Sequence, residues 1–362
     1  MVDPTASATE PTDTASSYRT DTEAVDTGAA GTDPPPTDSP TTAPPPTNPA
    51  TTLPAAQDVP SSPSAGCATA GSTPGESTEI FTGAEMMGTF ILHVPPDVTD
   101  GEPLPLVVDL HGYSEPAVIQ AVQSGLPAFG DTAGFVTIVP DIDRPVPRWD
   151  STVGSPDVQF LDELLDHVEA SVCIDTNRVF VAGLSNGAFM SSTVACDLSA
   201  RFAAAAPVAG IQAPPDCDPA RPVPVIAFHG TADTFVPYTG GLGASVASLP
   251  SADGNGTLGT SAPTDDPAPV GPTVEERAST WAVRNGCTAV ADETEIAPDV
   301  TLLEFGCPVG VEVELYRIEG GGHSWPGSAF SQQFVGFVGA TTMSIDATQL
   351  MWDFFKAHPL RS

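Results

Sequence analysis

The sequence predicts an α/β fold in which a mainly parallel central sheet has helices on both faces. From residue 67 onward, short apolar runs alternate with helical patterns, which is typical of parallel sheets. The run Leu104–Leu110 is apolar at nearly every position, as in a strand that is covered on both faces. The pair Ser155-Pro156 is typical of a helix start, and one apolar helical face follows it. That face consists of Leu161, Leu164, Leu165 and Val168.

Six strands are predicted in chain order, at residues 89–94, 104–110, 135–140, 178–183, 223–229 and 311–318. The last alternates apolar residues with Glu312, Glu314 and Arg317, which predicts an edge strand. Residues 186–199 and about 346–357 are predicted to be helices, the first because it follows a strand without proline. The stretch 240–272 is rich in Gly, Ser, Pro and Asp, and we expect one long loop inside the domain.

Residues 1–66 have a different composition from the rest of the chain. Pro, Thr, Ser and Ala occupy 45 of these 66 positions. Such a segment buries too little apolar surface to offset its conformational entropy, so we expect a disordered acidic tail or linker. Segments of this kind tether an exported domain to an envelope or to another module, and a dispensable tail is the alternative. Residues 67–362 are then the folded domain.

The chain has 46 acidic and 11 basic side chains and a formal charge of −35. Because nucleic-acid binding needs clustered Lys and Arg, we expect no nucleic-acid partner. Binding to anionic membrane surfaces is disfavoured because it also needs clustered Lys and Arg. No apolar run reaches the roughly 18 residues of a membrane span. One acid, Asp109, lies inside the apolar run Leu104–Leu110, and nothing in the sequence explains it.

All six cysteines lie at or after residue 67, and an even number suits a domain oxidised outside the cytoplasm. No two have the C-x-x-C spacing, so we expect no zinc site. Sequence alone allows fifteen pairings. Pairing of neighbours gives the expected disulfides, Cys196–Cys217, Cys287–Cys307 and, by what remains, Cys67–Cys173. The alternative is a cytosolic protein with reduced thiols.

No export signal is visible at the start of the chain, which has no basic region followed by an apolar one. We nevertheless expect an extracellular or cell-envelope location because of the cysteines. The true start of the protein is then expected to lie upstream.

The strongest chemical signal is a G-x-S-x-G pattern between a predicted strand and a predicted helix, Gly183-Leu184-Ser185-Asn186-Gly187. A serine at such a turn is exposed for nucleophilic attack, and the flanking glycines avoid steric clashes. We therefore expect Ser185 to be a nucleophile. The alternative is a tight turn whose serine caps a helix.

A serine nucleophile needs a histidine base and a carboxylate that orients the base, in the chain order Ser, Asp or Glu, His. His323 is the expected base, because three glycines precede it in a loop after a strand. His229 is interpreted as a packed residue at a strand end, and His358 as part of a frayed terminus. Asp233 is the expected acid, because it follows a strand where catalytic groups of an α/β sheet collect. The rival acids are Asp216, Asp218, Asp265 and Asp266.

An oxyanion hole requires two backbone N–H groups. One should belong to Asn186, and the other to Tyr113 or Gly112 in the loop after the run at 104–110. In the same loop, His111 is interpreted as structural. Trp149 and Trp325 either line an aromatic-friendly cleft or pack in the core. This chemistry requires no metal and no cofactor.

The motifs together resemble the secreted polyhydroxybutyrate depolymerase/feruloyl esterase-like family of α/β-hydrolases. They are His111-Gly112, Gly183-Leu184-Ser185-Asn186-Gly187, Ala209-Gly210, His229-Gly230-Thr231-Ala232-Asp233 and Gly322-His323-Ser324-Trp325-Pro326-Gly327, with residues 172–179 and 345–355. The resemblance covers roughly residues 67–362 without the stretch 240–272. One departure is Ala188, where the family often has a second glycine.

The resemblance implies an α/β-hydrolase fold and a secreted serine carboxylic ester hydrolase that works through an acyl-enzyme. Its nucleophile, acid and base would be Ser185, Asp233 and His323. The family acts on polyhydroxyalkanoates, on feruloyl or acetyl esters of plant polysaccharides, or on small esters, so the expected partner is an ester, including insoluble polymers. We expect a monomer. The alternative function is a catalytically weak polymer- or cell-envelope-binding protein on a hydrolase scaffold.

Overall fold

A computed structural model describes residues 59–68, 72–99, 101–259 and 271–360. Residues 1–58 of the expected tail and residues 260–270 of the expected loop lie outside the described residues. Within the described ranges, ten strands form one sheet. They are β1 (Gly75–Gly83), β2 (Met86–Val94), β3 (Leu104–Leu110), β4 (Val136–Ile142), β5 (Ile174–Leu184), β6 (Ala204–Val208), β7 (Val225–Gly230), β8 (Ala291–Ala297), β9 (Val300–Phe305) and β10 (Val313–Ile318).

The sheet has the strand order β1-β2-β4-β3-β5-β6-β7-β10-β9-β8. The six strands from β4 to β10 in this order are mutually parallel, and antiparallel pairs extend the sheet at both ends. Carboxyl ends of parallel strands meet at one edge of the sheet, where binding and catalytic groups collect. The prediction of a mainly parallel α/β sheet is confirmed.

Eight α-helices accompany the sheet in the part of the chain that the structure describes. They are α1 (Ala117–Ser124), α2 (Leu126–Ala133), α3 (Pro156–Ser171), α4 (Asn186–Asp197), α5 (Val274–Arg284), α6 (Ala329–Gln333), α7 (Val335–Val338) and α8 (Ala347–Ala357). The start of α3 is as predicted, with the Ser155 side chain accepting the Val158 N–H and proline in the first turn. Among the described residues, no helix has the length and apolar character needed to cross a membrane.

Helices cover both faces of the sheet, and successive residues of the central strands therefore pack in two different hydrophobic clusters. In β3, Val108 packs in a cluster with residues of α3, α4 and α5, whereas Val107 packs with residues of α2 and α8. The same alternation occurs in β5, where Val181 faces the first cluster and Phe180 the second. This two-sided burial explains why the central strands are apolar at nearly every position.

The structure corrects two predictions for the end of the chain. β10 is not an edge strand: it pairs in parallel with β7 and antiparallel with β9. Its polar side chains have partners within the protein, since Arg317 forms ion pairs with Glu275 and Glu293. His358 is not frayed but 4% exposed, and it contacts Glu312 and the Phe354 carbonyl oxygen.

The packed chain begins before the expected boundary at residue 67. Ser64 donates its backbone N–H to Ile174 O at 2.8 Å and its hydroxyl to Val172 O at 2.9 Å, and its hydroxyl accepts the Ile174 N–H at 3.0 Å. These bonds hold residues 59–66 against the start of β5. The next cysteine in the chain, Cys67, forms a disulfide with Cys173 at the same place.

The other disulfides are Cys196–Cys217 and Cys287–Cys307, so the pairing of all six cysteines is the one expected from the sequence. The first part of the expected loop, residues 240–259, has local structure. It contains a short 3-10 helix, Ala244–Ser248, and a β-bridge between Pro250 and Thr257. We call residues 240–259 the insertion.

Candidate active site

Ser185 lies at the sharp turn between β5 and α4, as the G-x-S-x-G pattern predicts. Its backbone has φ 57° and ψ −115°, which is unusual for a residue other than glycine. The Ser185 N–H donates to Val208 O at 2.9 Å, which joins the turn to β6. A strained conformation held by neighbouring strands is the geometry expected of a nucleophile at this position.

The two glycines of the pattern are explained by close backbone approaches. A Cβ atom at Gly187 would lie 2.0 Å from Leu110 O, and one at Gly183 would lie 2.5 Å from Gly187 O. Helix α4 therefore begins in direct contact with the end of β3. At the neighbouring position, the Ala188 side chain is fully buried, so the methyl group that departs from the family pattern has a place in the core.

Asp233 and His323 form a buried hydrogen-bonded pair in loops that follow the parallel strands β7 and β10. His323 Nδ1 lies 2.7 Å from Asp233 Oδ2, and the two residues are 7% and 5% exposed. The other carboxylate oxygen, Asp233 Oδ1, accepts the N–H groups of Phe235 and Val236 at 2.8 and 2.9 Å. The carboxylate is thus fixed by its own loop, and it orients the imidazole.

The electrostatic environment keeps Asp233 ionised. Burial by itself raises the pKa of this carboxyl group, but the positive charge of His323 and hydrogen bonds from His229 and His323 outweigh burial. The net effect is that the pKa of Asp233 lies well below its usual value. An ionised carboxylate beside an imidazole stabilises the positive charge that the ring acquires when it accepts a proton.

The glycines before His323 allow the loop to pack tightly. A Cβ atom at Gly322 would lie 2.1 Å from Val338 O, and the His323 N–H donates to the same carbonyl oxygen at 2.6 Å. The ring of His323 also contacts the ring of Phe235, with centroids 4.9 Å apart. The backbone of this loop therefore lies in close contact with the end of α7.

Backbone N–H groups beside Ser185 are candidates for the oxyanion hole. Asn186 is the first residue of α4, so its N–H has no acceptor within the helix. In the loop after β3, the Gly112 N–H donates to Glu115 Oε2 at 3.0 Å. Within the described ranges, the Tyr113 N–H has no acceptor. Of the two expected donors in this loop, Tyr113 is therefore the better candidate.

The two tryptophans expected to line a cleft are buried and bind structural partners. Trp149 is 4% exposed; its indole N–H donates to His111 O at 3.0 Å. Its backbone N–H and carbonyl oxygen bind the Asn186 side chain at 2.7 and 3.1 Å. Trp325 is 1% exposed, and its indole N–H donates to Thr348 Oγ1 at 3.0 Å. Neither residue lines the cavity beside Ser185, which favours the alternative interpretation of both as packed core residues.

The other histidines have structural contacts. His229 is buried, and its Nε2 lies 2.8 Å from Val236 O and 3.4 Å from Asp233 Oδ2. It therefore contacts both the Asp233 carboxylate and the backbone of the same loop. His111 is fully buried, contacts Gly112 O through Nδ1 at 2.8 Å and packs against the Trp149 ring.

A cavity of about 350 Å³ contains both Ser185 and His323 in its wall. Its lining is mainly apolar and includes Phe235, Leu249, Phe330, Phe334, Phe337 and Val338. Most of these side chains come from α6, α7 and the link between them, and Leu249 comes from the insertion. The Tyr113 hydroxyl donates to Pro250 O at 3.0 Å, which fastens the insertion beside the cavity.

Sequence reasoning missed Glu115, the one acidic residue that lines this cavity among the described residues. Burial raises its pKa, against the effects of the Gly112 hydrogen bond and of the charges of His111 and His323. The only sequence signal was an acid three residues after His-Gly at a strand end, which is too weak to have identified it. The proposed rival acids Asp216 and Asp218 do not line the cavity, and Asp265 and Asp266 lie outside the described residues.

Comparisons with known proteins identify esterases as relatives. No family model matches the chain. Feruloyl esterase B of Piromyces equi is 33% identical over 173 residues, which are 46% of this chain and 29% of that protein. The protein named "Putative esterase NocK" of Nocardia uniformis subsp. tsuyamanensis is 28% identical over 274 residues, 72% of this chain and 75% of that protein. Poly(3-hydroxyalkanoate) depolymerase C of Paucimonas lemoignei is 35% identical over 127 residues, 33% of this chain and 30% of that protein.

The chain therefore spans less than a third of the length of two of these relatives. Among solved structures, acetyl xylan esterase from Aspergillus awamori matches with a TM-score of 0.51 and 15% identity. The match covers 72% of this chain and 98% of that one. At this identity the likeness shows the fold, which is the α/β-hydrolase fold. The predictions of that fold and of relatedness to carboxylic ester hydrolases are confirmed.

Proposed function

We propose that this α/β-hydrolase-fold chain, whose relatives are named as esterases, is itself a serine carboxylic ester hydrolase. The observation that carries the proposal is the buried Asp233–His323 hydrogen bond of 2.7 Å, in a cavity whose wall also contains Ser185. These residues follow β5, β7 and β10 in the order Ser, Asp, His, which is the order of triads on this fold.

In the proposed mechanism, His323 Nε2 accepts the hydroxyl proton of Ser185 while Ser185 Oγ attacks the ester carbonyl carbon. The resulting oxyanion is bound by the N–H groups of Asn186 and Tyr113, and the Asp233 carboxylate stabilises the imidazolium. The C–O bond to the alcohol then breaks, and His323 returns the proton to the leaving oxygen. Water, activated by His323, attacks the acyl-enzyme and releases the acid.

The cavity supports an acyl group that is apolar and larger than acetyl. A volume of about 350 Å³ falls at the lower end of the range of small-molecule sites. Four phenylalanines in its wall offer apolar and aromatic contacts. We infer that polyester segments and aromatic acyl esters of polysaccharides are the substrate classes to test first. The three disulfides support an extracellular or cell-envelope location.

The proposal is tested by replacing the nucleophile. We expect Ser185→Ala to reduce kcat for p-nitrophenyl esters on the order of 10⁶-fold, without loss of fold, because the serine lies at the cavity wall and not in the core. A fluorophosphonate probe should label the parent and leave this variant unlabelled. The matched control is Ser171→Ala, an exposed serine at the end of α3, which should keep full activity and labelling.

Activity of Ser185→Ala within tenfold of the parent would contradict the assignment of the nucleophile. A panel of methyl ferulate, acetylated xylan, polyhydroxybutyrate film and short p-nitrophenyl esters then separates the substrate classes. Polymer binding by a parent that hydrolyses none of these esters would instead support a binding protein on a hydrolase scaffold.

A further inference from the structure

Glu115 binds both backbone polar groups of Gly112 in the turn that follows β3. Its Oε2 atom accepts the Gly112 N–H at 3.0 Å, and its own N–H donates to Gly112 O at 3.3 Å. The two bonds close the turn from Gly112 to Glu115. A Cβ atom placed on Gly112 would lie 3.7 Å from Ser185 Cβ, so this turn lies directly beside the serine.

The backbone donors of the turn leave one N–H group for a ligand. The Gly112 N–H is bound by the Glu115 carboxylate, the Ser114 N–H donates to Pro147 O at 2.8 Å, and the Glu115 N–H donates to Gly112 O. In the part of the chain that the structure describes, the Tyr113 N–H has no such partner. The Glu115 carboxylate thus occupies the Gly112 N–H and leaves the Tyr113 N–H as the donor of this turn without a partner among the described residues.

Glu115 also connects the turn to the loop that carries His323. Its Oε1 atom accepts from Gln123 Nε2 at 3.3 Å. The Oε1 atom of Gln123 in turn accepts the Ser331 hydroxyl proton at 3.4 Å, and Ser331 Oγ accepts the Trp325 N–H at 3.4 Å. Trp325 is two residues after His323, so a continuous chain of hydrogen bonds links the two sides of the cavity.

We propose that Glu115 is a positioning residue of the oxyanion hole, which fixes the turn so that the Tyr113 N–H faces the carbonyl oxygen of an ester at Ser185. The role requires only a hydrogen-bond acceptor at Oε2, and a negative charge is not needed for it. The inference rests on the proposed esterase function, since an oxyanion forms only if Ser185 attacks a carbonyl.

The test compares Glu115→Leu with Glu115→Gln, two side chains of similar size. Leucine packs in the apolar cavity but leaves the Gly112 N–H without an acceptor, whereas glutamine retains an acceptor oxygen. We expect Glu115→Leu to lower kcat for a p-nitrophenyl ester about 10- to 100-fold with KM changed less than about twofold, because the lost interaction is made mainly in the transition state. Glu115→Gln should keep kcat within about threefold of the parent.

Amide hydrogen exchange at Gly112 gives a second readout that does not depend on turnover. The Gly112 amide should be protected in the parent and in Glu115→Gln, and should exchange at least tenfold faster in Glu115→Leu. Glu102→Leu, an exposed site before β3, is the control and should change neither kcat nor exchange at Gly112. Melting temperatures of all variants establish that the comparison is made on folded protein.

Parental kcat in Glu115→Leu, or equal losses of kcat in the leucine and glutamine variants, would overturn the inference while leaving the esterase proposal intact. Unchanged exchange at Gly112 in Glu115→Leu would overturn it as well. If the parent protein hydrolyses no ester, the proposed function is wrong and no oxyanion hole is needed. Hydrogen exchange at Gly112 still decides, in that case, whether Glu115 holds the turn.

Discussion

Asp109 should make the folded domain less stable as the pH rises. This residue is fully buried in the otherwise apolar strand β3 and accepts hydrogen bonds from Gln120 and Ser124, each at 2.6 Å. Burial raises its pKa to about 7, although both hydrogen bonds act in the opposite direction. The substitution Asp109→Asn removes the ionisation while keeping a side chain of the same shape.

The sign and the size of the effect follow from the two pKa values. Aspartate in an unfolded chain has a pKa of about 3.9, so between about pH 4 and pH 7 the folded state binds more protons at this site than the unfolded state. The contribution of protonated Asp109 is therefore fully present below about pH 4 and is lost as the pH rises through 7. The full difference between the two pKa values corresponds to about 4 kcal/mol in the free energy of unfolding.

Urea unfolding at intervals between pH 4 and pH 8 measures this effect. The free energy of unfolding of the parent minus that of Asp109→Asn should fall by up to about 4 kcal/mol across this interval. Glu314→Gln should show the same sign, because burial, reinforced by Glu304 on the neighbouring strand, raises the pKa of Glu314 to about 7.

The two substitutions should act additively. Strand β3 is four positions from β10 in the sheet, or about 19 Å, which exceeds the distance at which substitutions usually couple. A difference between parent and Asp109→Asn that stays constant from pH 4 to pH 8 would refute the reasoning, since Asp109 would then titrate equally in both states.

Two further predictions concern the acid and the amino-terminal segment. Asp233→Asn should keep the fold and lower kcat by two to four orders of magnitude, because the imidazole loses its orienting carboxylate. Asp216→Asn is the control and should keep the parental kcat. If only Asp216→Asn lowered kcat, the assignment of Asp233 as the acid would be wrong. Deletion of residues 1–66 should lower the melting temperature by about 5 °C or more, since it removes three hydrogen bonds of Ser64 worth about 1 kcal/mol each. Deletion of residues 1–58 keeps these bonds and should leave the melting temperature unchanged; equal melting temperatures of both truncated proteins would show that residues 59–66 contribute nothing.

The central strands could be predicted because burial on both faces leaves a clear apolar run. Strand β6 was missed because Ala204-Ala205-Ala206-Pro207-Val208 has low strand propensity and is held by its neighbours β5 and β7. Strand β8 was missed because most of its residues are exposed and three of the seven are acidic, so the strand has no apolar pattern. The position of β10 was mistaken because its polar residues find partners on elements distant in sequence, such as Glu275 of α5 for Arg317.

The arrangement of Ser185, Asp233 and His323 could be predicted because each follows a parallel strand and carries its own local pattern. The supporting residues could not, because their contacts are not local. Trp149 binds the Asn186 side chain 37 residues further along the chain. From the sequence alone, a tryptophan packed in the core cannot be distinguished from one that lines a cleft. The partners of Asp109 lie on α1, so an acid in an apolar strand had no visible explanation.

The place of β10 in the sheet has a consequence for the order of synthesis. Strands β7, β8 and β9 all leave the ribosome before β10, yet β10 lies between β7 and β9. Until residues 313–318 are made, both neighbours lack their partner along one edge, and unpaired edges promote association with other chains. His323 follows only five residues after this strand. Prematurely terminated copies that end before β10 would therefore lack the proposed base. The edges of β7 and β9 that β10 covers would also stay unpaired in them and could pair with other chains.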